Sequence, residues 1–294
     1  MEMKDLQTRQ NPNWCPGCGD YGILAALKAA LIELNFDIKN VVIVTGIGCG
    51  SKINHWVKCY GFESLHGRPI PVATGVKLAN PDLKVIAIGG DGDAYGLGMG
   101  HFIHAMRRNL DITYIVQDNQ IYGLTTGQTS PTSERGTKSK STPFGAIEMP
   151  VNPIDLAFGS GATFIARGYA GDLKHLTSLI VQGIKHEGFS LIDTLQPCVS
   201  FNKINTYEFF NKRIYKLEDD KTYKMPFIDE NGMFDSSIGD AMKRSREWNE
   251  KIPIGVFYKG FRPTYESSEI GLSEGRPVEF GDDIDIEDLM AGYM

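Results

Sequence analysis

The chain has 294 residues, 41% hydrophobic and 22% charged, with a formal net charge of −6 at pH 7. That length builds a substantial core in one or two domains. No apolar run approaches the roughly 18 residues a membrane span needs, and the scattered Lys and Arg offer no basic face, so neither a membrane nor a nucleic-acid partner is expected.

The polar opening MEMKDLQTRQNPNW lacks the apolar core of a secretory signal and the Arg-rich character of a transit peptide, so a cytoplasmic protein is expected. CPGCG at 15–19 follows, a tight knuckle directing two thiols at one metal. Residues 21–36 space their apolar positions three and four apart and predict a helix. NVVIVTG at 40–46 predicts a buried strand that feeds GIGCGSK, and 71–82 a short helix ended by Asn80-Pro81. KVIAIGG at 84–90 predicts the next strand, running into the glycine-dense turn GDGDAYG; a helix at 98–109 and a strand at 112–119 come after it. The Ser-, Thr- and Gly-rich stretch 125–145 has no periodicity and reads as a long loop near the active site. Strands at 162–168 and 189–196 bracket a helix at 172–188.

Strand and helix alternate, which predicts an α/β fold: a parallel sheet with helices on both faces. After Cys198 the pattern weakens to a helix at 236–251, the run PIGVFYKG and a tail with five carboxylates at 282–288. That tail reads either as solvated or as an arm ordered by a partner subunit. The expected organisation is an α/β domain at 1–200 and a C-terminal extension at 201–294 packed on it and on the partner.

The turn after the second strand carries the chemistry. Asp91 follows one strand and Asn119, 28 positions on, follows the next. In a right-handed βαβ unit both side chains reach the same sheet edge. A carboxylate, an amide oxygen and a main-chain carbonyl just past Asn119 are hard oxygen ligands of the kind Mg²⁺ takes while leaving positions for phosphate. Gly90 and Gly92 let the backbone approach a diphosphate at the start of the next helix. Among the five cysteines, Cys15, Cys18, Cys49 and Cys198 are placed to converge, while Cys59 reads as a small buried hydrophobe. A thiolate quartet holds structural zinc or an iron–sulfur cluster, and both stay open on sequence chemistry. His101 and His104, three apart on a predicted helix with no third ligand nearby, are not read as a metal site.

GDG followed by QDNQIYG resembles the thiamine diphosphate motif. Together with CPGCGDYGIL, TGIGCGSK, HGRPIPVATGVKLANP and the late QPC, the chain from about Asn11 to Cys198 resembles the β subunits of the 2-oxoacid:ferredoxin oxidoreductases, and most of all their 2-oxoglutarate and broad-specificity members. The resemblance implies Mg²⁺ on Asp91, Asn119 and the carbonyl of Ile121, and a [4Fe–4S] cluster on Cys15, Cys18, Cys49 and Cys198. It also implies cofactor contacts from Ile47, Gly48, Cys49, Gly50, His66, Gly90, Gly92, Asp93, Gly123 and Leu124, with Lys52 and His66 as catalytic residues. The implied reaction is oxidative decarboxylation of a 2-oxoacid, 2-oxoglutarate first, to an acyl-CoA with electrons passed to ferredoxin. The implied assembly is α2β2, inactive without the α subunit. This chain departs from the family at Asp118-Asn119, where two asparagines are common, and at Leu124-Thr125-Thr126-Gly127-Gln128, where relatives often carry Lys within LTKGQ. The competing readings are a non-oxidative thiamine diphosphate lyase subunit with structural zinc and a dinucleotide-binding regulatory subunit.

Overall fold

The computed structural model describes residues 1–229 and 235–269, so the acidic run at 282–288 lies outside the described residues. In chain order the strands are β1 (Val41–Thr45), β2 (Tyr60–Glu63), β3 (Lys84–Gly90), β4 (Ile112–Asp118), β5 (Ile121–Tyr122), β6 (Gln128–Thr129), β7 (Phe164–Tyr169), β8 (Ser190–Leu195), β9 (Ile214–Lys216), β10 (Phe227–Ile228) and β11 (Ile252–Gly260). The helices are α1 (Asp20–Leu34), α2 (Pro69–Ala79), α3 (Met99–Arg108), α4 (Pro153–Ser160), α5 (Leu173–Lys185), α6 (Tyr207–Asn211), α7 (Ile238–Ser245) and α8 (Tyr265–Ser268).

Every residue of β1, β4, β7 and β8 is buried, because helices cover both faces of the sheet; this is why these strands read as mostly apolar runs, with the Arg167–Asp193 ion pair buried inside two of them. Leu27, Leu31 and Ile180 of α1 and α5 pack with Ile43 and Ile115 on one face. Ile70, Phe102 and Ile154 of α2, α3 and α4 pack with Val44 and Val116 on the other. The main sheet runs β10-β11-β7-β8-β4-β3-β1-β2, with β9 beside β11. Its pairs are parallel except β11 against β7.

From β1 the chain moves outward to β2 and then returns to β3 on the other side. The carboxyl ends of β1 and β3 therefore diverge into the crevice where open α/β sheets bind ligands. The 46–50 loop and Asp91 stand at that crevice, and β5 and β6 form a small hairpin beside it.

Three features differ from expectation. The edge strand β2 is exposed throughout, and so carries no burial pattern to read. Helix α4, absent from the sequence expectations, begins where Asn152 caps the amides of Ile154 and Asp155 ahead of Pro153, the pairing of a capping side chain with proline at the first helical position. The helix expected at 236–251 stops at Ser245. Trp248 leaves it to lie 5.9 Å from the Arg167 guanidinium and donates Nε1–H to Glu134 (2.6 Å). Among the described residues no helix is long and apolar enough to cross a membrane.

Candidate functional site

Gly90 pairs with Gln117 across β3 and β4, so Asp91 stands next to Asp118 and Asn119 at one sheet edge. Asp91 is 2% exposed. Its Oδ2 accepts from Ser130 Oγ (2.5 Å) and Thr132 Oγ1 (2.6 Å), and the same Thr132 oxygen lies 2.7 Å from Asp118 Oδ1. A threonine hydroxyl has one hydrogen, which Thr132 gives to one of the two carboxyl oxygens or shares between them. Burial pushes both carboxyl groups above their ordinary range, and the charge of buried Asp193 adds to it. Arg167 offsets Asp193 through Nε (3.1 Å), and Tyr95 Oη donates to the same carboxylate (3.0 Å).

The donor set fits a hard divalent cation. Two buried carboxyls, Asp91 and Asp118, share this edge, and Asn119 Oδ1 accepts from the Ile121 amide (3.0 Å), which leaves it a second lone pair. The edge also leaves room for a ligand: a Cβ on Gly90 would come no closer than 4.0 Å to protein, at the Gln117 carbonyl. Gly92 is glycine for a different reason, since a Cβ there would sit 2.1 Å from the Tyr122 ring. The chain leaves this turn as a π-helical segment, Gly92–Leu97, before α3 begins, and π turns are frequent at functional sites.

Asp93 serves the neighbouring loop. Its Oδ1 accepts from the amides of Ile47 (3.0 Å) and Gly67 (2.8 Å) and from His66 Nδ1 (2.8 Å), and a Cβ on Gly46 would lie 2.0 Å from its Oδ2. Asp93 thus clasps the 46–50 loop to the His66 turn through protein donors. With Nδ1 held there, His66 keeps Nε2 for another partner, its ring edge-on to Tyr122 at 6.1 Å. Gln117 fills the space beside Gly50, where a Cβ would fall 1.1 Å from its Oε1; that buried oxygen has no partner among the described residues. Ile47 and Leu124 are exposed.

The four cysteines come from three segments stitched together by backbone. A turn closed by the Cys18 amide on the Cys15 carbonyl (3.0 Å), with Gly17 at φ +80°, forms the knuckle. The Gly19 amide donates to the Pro197 carbonyl (3.1 Å), and Trp14 Nε1–H to the Cys49 carbonyl (2.6 Å). A Cβ on Gly123 would lie 3.7 Å from both the Cys49 and Cys198 sulfurs. Gly123 therefore lies against the Cys49 and Cys198 thiols. Burial pushes the Cys18 thiol far up and Cys49 to about 11, with charges on Asp20 and Cys198 adding to each. Thiols so disfavoured as anions become thiolates when a cationic centre compensates them. Among the described residues no three His, Cys, Asp or Glu side chains close on a single ion, so neither the carboxyl edge nor the cysteines are drawn tight.

Asp20, 1% exposed, lies under this quartet. Its Oδ2 accepts from the Cys18 thiol (3.4 Å), its Oδ1 is unpartnered among the described residues, and burial pushes its pKa to about 7 against the pull of Lys52. Lys52 is half-buried, and Asp20 and Cys49 both feel its charge. Sequence reasoning missed Asp20, Trp14, Gln196, Tyr122, Ser130 and Thr132; the last two lie in the long loop expected at the site. Cys59 is apart from the quartet, packed against the core, and His101 Nε2 faces Arg68 at 3.0 Å.

Residues 18–194 match the family described as "Thiamine pyrophosphate enzyme, C-terminal TPP binding domain", and residues 198–273 match the family of the C-terminal region of the pyruvate ferredoxin oxidoreductase beta subunit. The chain is 52% identical over 262 residues to a 2-oxoacid:ferredoxin oxidoreductase subunit beta of a Sulfolobus species, covering 88% of this chain and 86% of that one. It is 49% identical over 267 residues to the subunit of the same name from Saccharolobus solfataricus, covering 90% and 87%. In structure it is similar to a 2-oxoglutarate:ferredoxin oxidoreductase from Magnetococcus marinus with 2-oxoglutarate, coenzyme A and succinyl-CoA bound; the TM-score is 0.85 at 36% identity, covering 100% of this chain and 96% of that one.

Proposed function

We propose, from the premise that this chain belongs to the β-subunit family of the 2-oxoacid:ferredoxin oxidoreductases, that it holds thiamine diphosphate, Mg²⁺ and one [4Fe–4S] cluster. With an α subunit, in an α2β2 enzyme, it converts a 2-oxoacid, 2-oxoglutarate first, to the acyl-CoA and delivers electrons to ferredoxin. The observation that carries this reading is the meeting of two donor sets at one sheet edge. The oxygen ligands end at Ile121, and two residues later Gly123 lies against the sulfurs of Cys49 and Cys198.

Bound thiamine diphosphate supplies the carbanion-stabilising chemistry, and a bound cluster the route for single electrons. The chain positions them. Asp91, Asn119 and the Ile121 carbonyl hold the metal, with Ser130 and Thr132 fixing the Asp91 carboxylate. Gly90 leaves space for the diphosphate. Asp93 sets the 46–50 loop and presents His66 with Nε2 free, and Lys52 offers a point charge for a substrate carboxylate. A thiamine enzyme also needs a carboxylate opposite the aminopyrimidine, which this reading assigns to the α subunit. The C-terminal segment, whose β11 extends the same sheet, packs against that partner.

The test is iron and acid-labile sulfide analysis with EPR after dithionite reduction, on protein purified without oxygen, followed by a 2-oxoacid panel with coenzyme A and ferredoxin. About four irons per chain are expected, with a reduced-cluster signal and turnover of 2-oxoglutarate only when the α subunit is present. Zinc in place of iron, or turnover by the chain alone, overturns the reading.

A further inference from the structure

Gln196, the residue after β8, is 1% exposed, and its amide spans the gap between the two donor sets. Its Oε1 accepts from Asn119 Nδ2 (2.7 Å). Its Nε2 donates to Cys18 Sγ and to the Pro197 carbonyl, both at 3.2 Å. Backbone groups fix the direction of this chain at both ends. The Ile121 amide can only donate, so the atom of Asn119 it meets is the carbonyl oxygen, and the NH₂ group must point to Gln196. The Pro197 carbonyl can only accept, so the atom of Gln196 beside it is the nitrogen, which also faces Cys18. The Gln196 backbone is itself pinned, its amide donating to the Asp118 carbonyl (2.9 Å). Its stem leaves no room for a side chain at Gly19, where a Cβ would meet Gln196 Cγ at 2.9 Å. Neither amide has an unpartnered buried atom among the described residues.

We infer that Gln196 is a positioning residue that couples the metal edge to the cysteine quartet: it holds the Asn119 amide with its oxygen turned toward the Asp91 edge and supplies an N–H hydrogen bond to the Cys18 sulfur. The inference rests on the proposed function, since it takes Asn119 as a Mg²⁺ ligand and Cys18 as a cluster ligand. Partners that orient a ligand are worth 10- to 100-fold in metal affinity. Hydrogen bonds to ligating sulfur stabilise the reduced cluster and so raise its potential.

The experiment compares wild type, Gln196→Leu and Gln196→Glu, each purified without oxygen together with the α subunit. Two quantities are read: the Mg²⁺ concentration that half-saturates thiamine diphosphate binding, and the midpoint potential of the cluster by EPR-monitored titration. In Gln196→Leu both ends of the bridge are lost; the Mg²⁺ requirement rises about 10- to 100-fold and the midpoint moves negative. Gln196→Glu keeps an oxygen for Asn119 and removes the N–H from Cys18, so the Mg²⁺ requirement returns to within about 3-fold of wild type while the midpoint stays negative. If Gln196→Leu moves only one quantity, or neither, the coupling is overturned. If Gln196→Leu does not fold, Gln196→Glu decides: a wild-type midpoint there overturns the bridge. Wild-type protein without iron, or without metal-dependent thiamine diphosphate binding, overturns the functional reading itself, an outcome visible before either variant is made.

Discussion

Replacing Thr132 with valine keeps the side-chain shape and deletes the hydroxyl wedged between Asp91 Oδ2 (2.6 Å) and Asp118 Oδ1 (2.7 Å). In both contacts the hydroxyl is the donor, with a single hydrogen to divide between the two oxygens. A hydrogen bond to a charged group contributes about 1.5–3 kcal/mol and a neutral one about 0.5–1.5 kcal/mol. Ser130 still donates to Asp91 Oδ2, which offsets part of the loss, so the net cost is about 2–3 kcal/mol. At roughly 2–4 °C per kcal/mol for a chain of this size, Tm falls by about 5–10 °C. Differential scanning calorimetry of EDTA-treated protein measures it, with Thr132→Ser, which retains the hydroxyl, expected close to wild type. A Thr132→Val melt within about 1 °C of wild type would show that the hydroxyl does not bridge the carboxyls, and that the two are held apart by other means.

Asp91→Ala is expected to abolish Mg²⁺-dependent thiamine diphosphate binding and leave iron content unchanged, and Cys198→Ser to do the reverse; loss of neither cofactor from either variant contradicts the site assignment. Gly22→Ala forces a Cβ to 2.2 Å from the Ala170 carbonyl oxygen, backbone that cannot step aside, so urea unfolding should report about 2–3 kcal/mol of destabilisation; an unchanged midpoint would mean that α1 rides farther from the β7 end. His186 is buried, and because Thr163 gives its hydroxyl hydrogen to Asn109 Oδ1 (2.7 Å), the neutral ring donates Nε2–H to Thr163 (2.8 Å). Burial, with the Lys259 charge second, pushes its pKa down to about 4. Between that value and the unfolded value near 6.5 the unfolded chain binds the extra proton, so this contribution is whole above about pH 6.5 and falls by up to about 3 kcal/mol as pH drops toward 4. His186→Asn should flatten the stability profile in that window, and an unaltered slope would remove His186 as its source.

The parts of the fold that were legible are those where burial leaves a one-dimensional trace. The four fully buried strands read directly as apolar runs, whereas β2, with four exposed residues at a sheet edge, carries no such trace. The end of α7 depends on Trp248 reaching Glu134, 114 positions away, and no local signal encodes that. The site divides in the same way. The cysteines, Asp91 and Asn119 stand out in the sequence because their spacing falls on strand ends, and the structure sets Asp91 next to Asn119 and Gly123 against the Cys49 and Cys198 sulfurs. Asp93 was legible as a carboxylate, but the three protein donors on its Oδ1 were not; its buried Oδ2 has no partner among the described residues. Gln196 was illegible, since its partner sulfur is 178 positions away and nothing in a glutamine announces a bridge.

The two donor sets also share an electrostatic condition. At one, burial raises the carboxyls of Asp91 and Asp118; at the other, it raises the thiols of Cys18 and Cys49 above a buried Asp20. Asp91, Asp118, Asp20 and Cys18 are buried and short of counter-charge, so ionising them costs folding free energy. A cation that binds only the folded arrangement removes part of that cost and stabilises the fold by its binding free energy. Asn119, Gln196 and Cys18 are joined by hydrogen bonds, so the two clusters are linked by one chain of polar contacts.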